Sequence, residues 1–166
     1  MSTISTKKLQ ELDRRHFLHP FTNSKELHES GSRIIVRGEG PYLYDSEGQK
    51  ILDGMSGLWN VSLGYGNREL IDAATEQLGQ LAFYNSFFKT TTPPTVRLAE
   101  ELASVAPSGL SHTFFTNSGS EANDTVIRMA RHYWAIQGQP KKSIILSRNN
   151  AYHGSTMGGA SLSGMG

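Results

Sequence analysis

Cysteine is absent from the 166-residue sequence, which excludes disulfides and thiolate metal sites. Long apolar runs are absent too; nothing approaches the ~20 residues that a membrane helix needs. The N-terminal stretch MSTISTKKLQELDRR lacks the apolar centre of a secretory signal, so a cytoplasmic location is expected. Neither sign of charge dominates: 16 basic and 15 acidic residues give a net charge of +1. No basic stripe points to nucleic acid, and no charge block points to a disordered tail. The six histidines show no metal-ligand spacing. His16 and His19 run into Pro20, which disfavours a shared helical face, so no metal site is expected. Internal repeats and low-complexity segments are missing. Hydrophobic residues make up 37% of the chain, a little below the content of a self-contained domain, which implies that some core is supplied from elsewhere.

What is present has a clear order. Ile4, Leu9 and Leu12 predict a short amphipathic helix ending near His19-Pro20. RIIVRGEGPYLYDSEGQKILDG predicts a small β-meander exposed on one side, with DSEG as a turn. Asn67 is expected to cap a helix carrying Leu70, Ile71, Ala74, Leu78 and Leu81. FYNSFFKTTTPP is too aromatic for an ordinary solvent loop, and Pro93 and Pro94 suit the first turn of a helix running to about Val105. The last third predicts an α/β unit over 112–148. SHTFFTN is expected as a strand, a helix begins near Ser120 and ends near Gly138, and SIILS is expected as a strand buried on both faces. Two such strands would run parallel with a right-handed crossover. A further helix is expected to start at Ser155.

The junction FFTNSGSEAND, Phe114–Asp124, carries the chemistry. A helix start presents backbone N–H groups without intrahelical partners at the positive end of the dipole. Gly119 lets an anion approach its amide closely, and Ser118 and Ser120 add hydroxyls, so SGSE forms a phosphate-shaped socket. It is not a nucleotide P-loop, because no G-x-x-x-x-G-K-[ST] and no lysine is present, and the dinucleotide G-x-G-x-x-G is missing as well. The same letters also suit a plain N-cap at Ser118 or Ser120, with Glu121 favouring the dipole. In parallel sheets ligands bind at the carboxyl ends of strands. Tyr152 and His153, in NAYHG, would emerge at the same rim as Gly119, which suits a flat, phosphorylated, ring-bearing ligand.

Together FFTNSGSEAND, RNNAYHGST and GLWNVSLGYGN resemble the class III, or ω-, aminotransferases, pyridoxal-phosphate enzymes of fold type I. The resemblance runs from HPFT near Pro20 to GGASLSG. It implies a large domain with a mainly parallel sheet and helices on both faces, preceded by an N-terminal helix and small meander. Residues 1–60 would contribute to a small domain, and 61–166 would begin the large one. It implies that Ser118, Gly119 and Ser120 bind the phosphate of pyridoxal 5'-phosphate, that Tyr152 lies against its ring facing substrate, and that His153 supports this placement. Phe21, Trp59 and Phe87, together with Tyr152, would line the substrate pocket, although Phe21, Trp59 and Phe87 also suit plain core. Phe87 would reach into the partner subunit of a homodimer. The implied reaction moves an amino group from an amine or ω-amino acid to a keto acid such as pyruvate. The family's Schiff-base lysine is expected downstream, since none of Lys7, Lys8, Lys25, Lys50, Lys89, Lys141 and Lys142 occupies a matching position. These residues alone are therefore expected to be an inactive N-terminal portion. Two alternatives remain: a non-catalytic module binding a phosphorylated ligand, and a class III relative with mutase or decarboxylase chemistry.

Overall fold

Ser5 starts the first helix. Its hydroxyl accepts the Lys8 amide at 3.3 Å, and α1 runs over Thr6–His16. Arg14, Arg15 and His16 fill its last turn, where positive charge complements the dipole. The helix ends three residues before His19, whose ring lies 2.8 Å from Asp13 and stacks on Phe17 at 4.3 Å. The computed structural model describes residues 4–165; the first three residues of the N-terminal stretch and Gly166 of the SLSGMG tail lie outside them. The chain divides between Tyr84 and Asn85 into two compact units.

In the first unit, α2 (Ser24–Ser30) follows α1 and was not expected from periodicity. Its signal is a cap: Asn23 accepts the amides of Lys25 and Glu26, and Glu26 sits in the first turn. Gln10 ties α1 to the exit of α2 by donating to the Ser32 carbonyl at 2.9 Å. The meander forms as expected. Strands β1 (Ile35–Glu39), β2 (Tyr42–Asp45) and β3 (Lys50–Leu52) make an antiparallel sheet in that order. Asp45 is its buried polar anchor: the carboxylate accepts Glu47 and Gln49 amides at 3.0 and 2.9 Å and closes the DSEG turn. Arg37 and Lys50 cover the rings of Tyr44 and Tyr42. A single turn, α3 (Ser56–Trp59), precedes α4 (Arg68–Leu81), which Asn67 caps through the Leu70 amide at 3.2 Å.

In the second unit α5 spans Pro93–Val105 with its prolines in the first turn, and α6 spans Gly119–Ile136. The last helix, α7 (Met157–Leu162), starts two residues later than expected because Thr156, not a residue before it, is the cap.

The expected parallel strands are corrected. Neither SHTFFTN nor SIILS is a strand, and no ladder hydrogen bond joins them to each other or to other described residues. Extended chain becomes a strand only beside a partner, and the described residues supply none. Two-faced burial of SIILS fails for the same reason: Ile144 and Leu146 are 85% and 90% exposed. The apolar stripe of α4 follows helical spacing, yet Leu70, Leu78 and Leu81 all remain exposed. Among the described residues no hydrophobic side chain is buried, in line with the low apolar content of the sequence.

Candidate active site

In the second unit, Ser118 is the cap of α6, and its Oγ accepts the Glu121 amide at 3.2 Å. Glu121 reaches back to the Asn117 amide at 2.9 Å, so Ser118 and Glu121 form a capping box shifted by one residue. These bonds leave the first two helical amides alone. Neither Gly119 N–H nor Ser120 N–H donates to a described protein group. The position a Gly119 Cβ would take is open space. The cap and the socket therefore coexist: the Ser118 side chain closes the helix while the Gly119 and Ser120 amides stay available. Outward amides at the start of an 18-residue helix fit an anionic oxygen group.

The segment after SIILS is fastened to this helix start. The Ser155 amide donates to Ser120 Oγ at 3.1 Å. Asn123 donates to the His153 carbonyl at 2.7 Å, and Asp124 accepts from the Thr156 hydroxyl and the Gly159 amide at 2.8 and 3.0 Å. On its other side the His153 amide donates to Ser163 Oγ at 3.0 Å. His153 is thus held by its backbone at both ends. Glycines let the two segments touch: a Cβ at Gly154 would stand 2.7 Å from Ser120 Cα, and one at Gly158 2.5 Å from Asp124 Oδ1. The structure thereby brings the segment carrying Tyr152 and His153 against Ser120. Tyr152 is half exposed beside it. Phe87 lies on a turn between Asn85 and Thr90, with its ring 6.1 Å from that of Phe88.

Periodicity missed Asn123, Asp124 and Thr156. Thr156 had a readable signal, a hydroxyl residue three places before Gly159, whose amide it accepts at 3.4 Å. A cavity of about 790 Å³ is walled by Phe114–Asn117, Asp124 and Arg131. It is the open flank of the unpaired FFTN segment, and neither Gly119 nor Tyr152 lines it.

In the first unit Phe21 and Trp59 are both exposed, and both have positive φ. At α3 four consecutive residues adopt left-handed angles, from Ser56 to Trp59. That conformation costs roughly 1–2 kcal/mol at each residue other than glycine. Asp53 opposes the cost by accepting the Met55 amide at 3.2 Å, the Gly57 amide at 2.7 Å and the Tyr65 hydroxyl at 2.6 Å. The Tyr65 hydrogen bond, then that of Gly57, holds the Asp53 carboxyl below its ordinary 3.8, and Asp53 in turn pushes the Tyr65 hydroxyl above 10.0. A lowered carboxyl pKa contributes stability above its unfolded value, and that contribution is lost as pH falls through the folded value. A raised phenol pKa contributes below its unfolded value, and that contribution is lost as pH rises through the folded value. Amide protection of Met55 and Gly57, measured by hydrogen exchange and corrected for intrinsic rate, is therefore expected to stay flat from about pH 5 to 9. It should collapse in acid; protection that titrates near neutrality would contradict this assignment.

No described helix is long and apolar enough to cross a membrane. The aminotransferase class-III family profile matches residues 24–165. The chain is 57% identical over 165 residues to the putrescine–pyruvate aminotransferase of Pseudomonas aeruginosa, covering 99% of this chain and 36% of that protein. It is 42% identical over 156 residues to the β-alanine–pyruvate aminotransferase of the same organism, covering 94% and 34%. Among solved structures, an (S)-enantioselective ω-transaminase from Thermomicrobium roseum superposes with a TM-score of 0.95 at 46% identity, covering 99% of this chain and 37% of that one. The ω-transaminase of Pseudomonas jessenii in complex with PMP superposes at 0.92 with 46% identity, covering 95% and 35%. The chain thus spans little more than a third of the length of these relatives. The chain belongs to the class III aminotransferases, with the architecture of the N-terminal part of pyridoxal-phosphate fold type I.

Proposed function

We propose that the whole protein is a pyridoxal-phosphate-dependent transaminase that moves an amino group from an amine or ω-amino acid to a keto acid, with pyruvate as the acceptor. The observation that carries this reading is that the Gly119 and Ser120 amides donate to no described protein group, beside a segment that hydrogen bonds pin to the same helix start. Pyruvate as acceptor is supported by the putrescine–pyruvate and β-alanine–pyruvate relatives, which also favour transfer over mutase or decarboxylase chemistry.

In this reading the Gly119 and Ser120 amides hold the phosphate, with the Ser120 hydroxyl free to donate while its oxygen accepts from Ser155. Ser118 stands beside them as the cap. Tyr152 lies against the cofactor ring, and the doubly held backbone of His153 keeps it there. When bound, the cofactor supplies an electron-accepting ring for breaking the Cα–H bond of an amine. Phe21, Trp59, Phe87 and Tyr152 exclude water and shape the space for the donor. Residues 1–60 belong to the small domain and 61–166 to the large one. The enzyme is a cytoplasmic homodimer with the Phe87 turn at its interface. The aromatic composition of the segment, with Phe83, Tyr84, Phe87 and Phe88 close together, supports such an interface.

The test uses the full-length protein. Added pyridoxal phosphate is expected to give a visible absorption band from a lysine linkage that borohydride makes permanent, found by mass spectrometry on a lysine outside residues 1–166. Binding without any lysine adduct would instead mark a phosphoryl-ligand module.

A further inference from the structure

Trp59 sits on a turn that its own backbone disfavours. A hollow of about 400 Å³ is lined by Asp53, Ser56, Val61 and Tyr65 beside the loop. The Trp59 side chain is 87% exposed. Four consecutive positive φ values, three of them at residues other than glycine, persist only where surrounding groups over-determine them. Asn60 donates to the Gly57 and Leu58 carbonyls at 3.2 and 3.3 Å, and the Asp53 carboxylate holds the amide side of the turn. One of its oxygens takes the Met55 amide; the other takes both the Gly57 amide and the Tyr65 hydroxyl.

Tyr65 is itself fixed. Its backbone forms a two-way bridge with Gly40, with N–H···O distances of 2.8 and 3.0 Å. Its ring lies so close to β1 that a Cβ at Gly38 would stand 2.8 Å from Tyr65 Cδ1. The meander therefore holds Tyr65, Tyr65 holds Asp53, and Asp53 holds the turn that presents Trp59.

We propose that Asp53, acting with Tyr65, is a positioning residue that fixes Trp59 as a wall of the substrate pocket and so sets the discrimination between slender and bulky amine donors. The proposal rests on the reading of Trp59 as a pocket residue. Without the latch the turn relaxes toward ordinary backbone angles and Trp59 leaves its place. A bulky donor then gains relative to a slender one, while the phosphate socket is untouched.

The experiment uses the full-length holoenzyme with pyruvate and two probe donors, putrescine and 1-phenylethylamine. The quantity read is the ratio of their kcat/KM values in the parent, Tyr65→Phe, Trp59→Ala and the double variant. Tyr65→Phe keeps the ring against Gly38 and removes only the hydroxyl. It is expected to shift the ratio roughly tenfold toward the aryl amine, the scale of one charge-assisted hydrogen bond. Cofactor retention should stay at the parent level. In the Trp59→Ala background the same change should produce no further shift, because its effect passes through Trp59. Where Tyr65→Phe yields no folded holoenzyme, Asp53→Asn replaces it, with a smaller shift in the same direction expected. An equal shift in both backgrounds overturns the proposal, as does no shift where Trp59→Ala alone moves the ratio. If Trp59→Ala itself leaves the ratio unchanged, the pocket reading fails, and the latch falls with it.

Discussion

Replacing Gly154 by alanine in the full-length enzyme is expected to weaken cofactor retention at least tenfold. Gly154 has φ +121°, a conformation that L side chains rarely adopt, and an added Cβ would meet Ser120 Cα at 2.7 Å. The backbone strain costs about 1–3 kcal/mol. The collision adds roughly 1–3 kcal/mol more if the two segments stay together. Part of this cost is relieved when 152–156 lifts away from α6, which breaks the bond from Ser155 to Ser120 Oγ and carries Tyr152 from the helix start. Each 1.4 kcal/mol so redistributed is worth a factor of ten in retention. The measurement is the dissociation constant for pyridoxal phosphate, read by absorbance after dialysis, beside the melting temperature of the apoprotein. Gly48→Ala is the control: φ is +85° there too, but nothing lies within 4 Å of the new Cβ. It should cost stability and spare cofactor affinity. A Gly154→Ala enzyme that holds cofactor as tightly as the parent would remove the fastened segment from the binding site.

A polypeptide limited to residues 1–166 is expected to show no cooperative thermal unfolding and no turnover of any amine with pyruvate. Burial of apolar surface is the main force opposing chain entropy, and here no described hydrophobic side chain is buried. Isolated helices of 11 to 18 residues are marginal in water without a packed face. Near-ultraviolet circular dichroism through a temperature ramp checks the first part, and a pyruvate-coupled assay checks the second. A sharp transition, or sustained amine turnover by the purified polypeptide, would contradict the expectation.

Features whose causes lie within one turn or one hairpin could be taken directly from the letters. Asn67 before Leu70, Pro93-Pro94 after Thr92, Ser118 before Glu121 and the DSEG turn each act through groups two to four residues apart. The α2 helix is just as local, but its cap at Asn23 has no apolar stripe behind it to mark the element in the sequence. SIILS and SHTFFTN fail to form strands for the opposite reason. Their composition suits a buried strand, but pairing belongs to neighbours, and composition does not supply neighbours.

The sequence alone determined the starts of α4, α5 and α6, that a helix start at Gly119 presents amides without intrahelical partners, and which family pattern the chain carries. Side-chain caps, dipoles and helical periods are short-range, so the chain spells them out in order. Only the tertiary structure decided that Asp53 takes the hydroxyl of Tyr65, 12 residues away, and that Asp124 holds Thr156 and Gly159, 32 and 35 residues away. It also decided that Gly154 must be bare because Ser120 passes against it. Each of these depends on two distant segments meeting at van der Waals distance, and no local rule encodes which distant segment arrives.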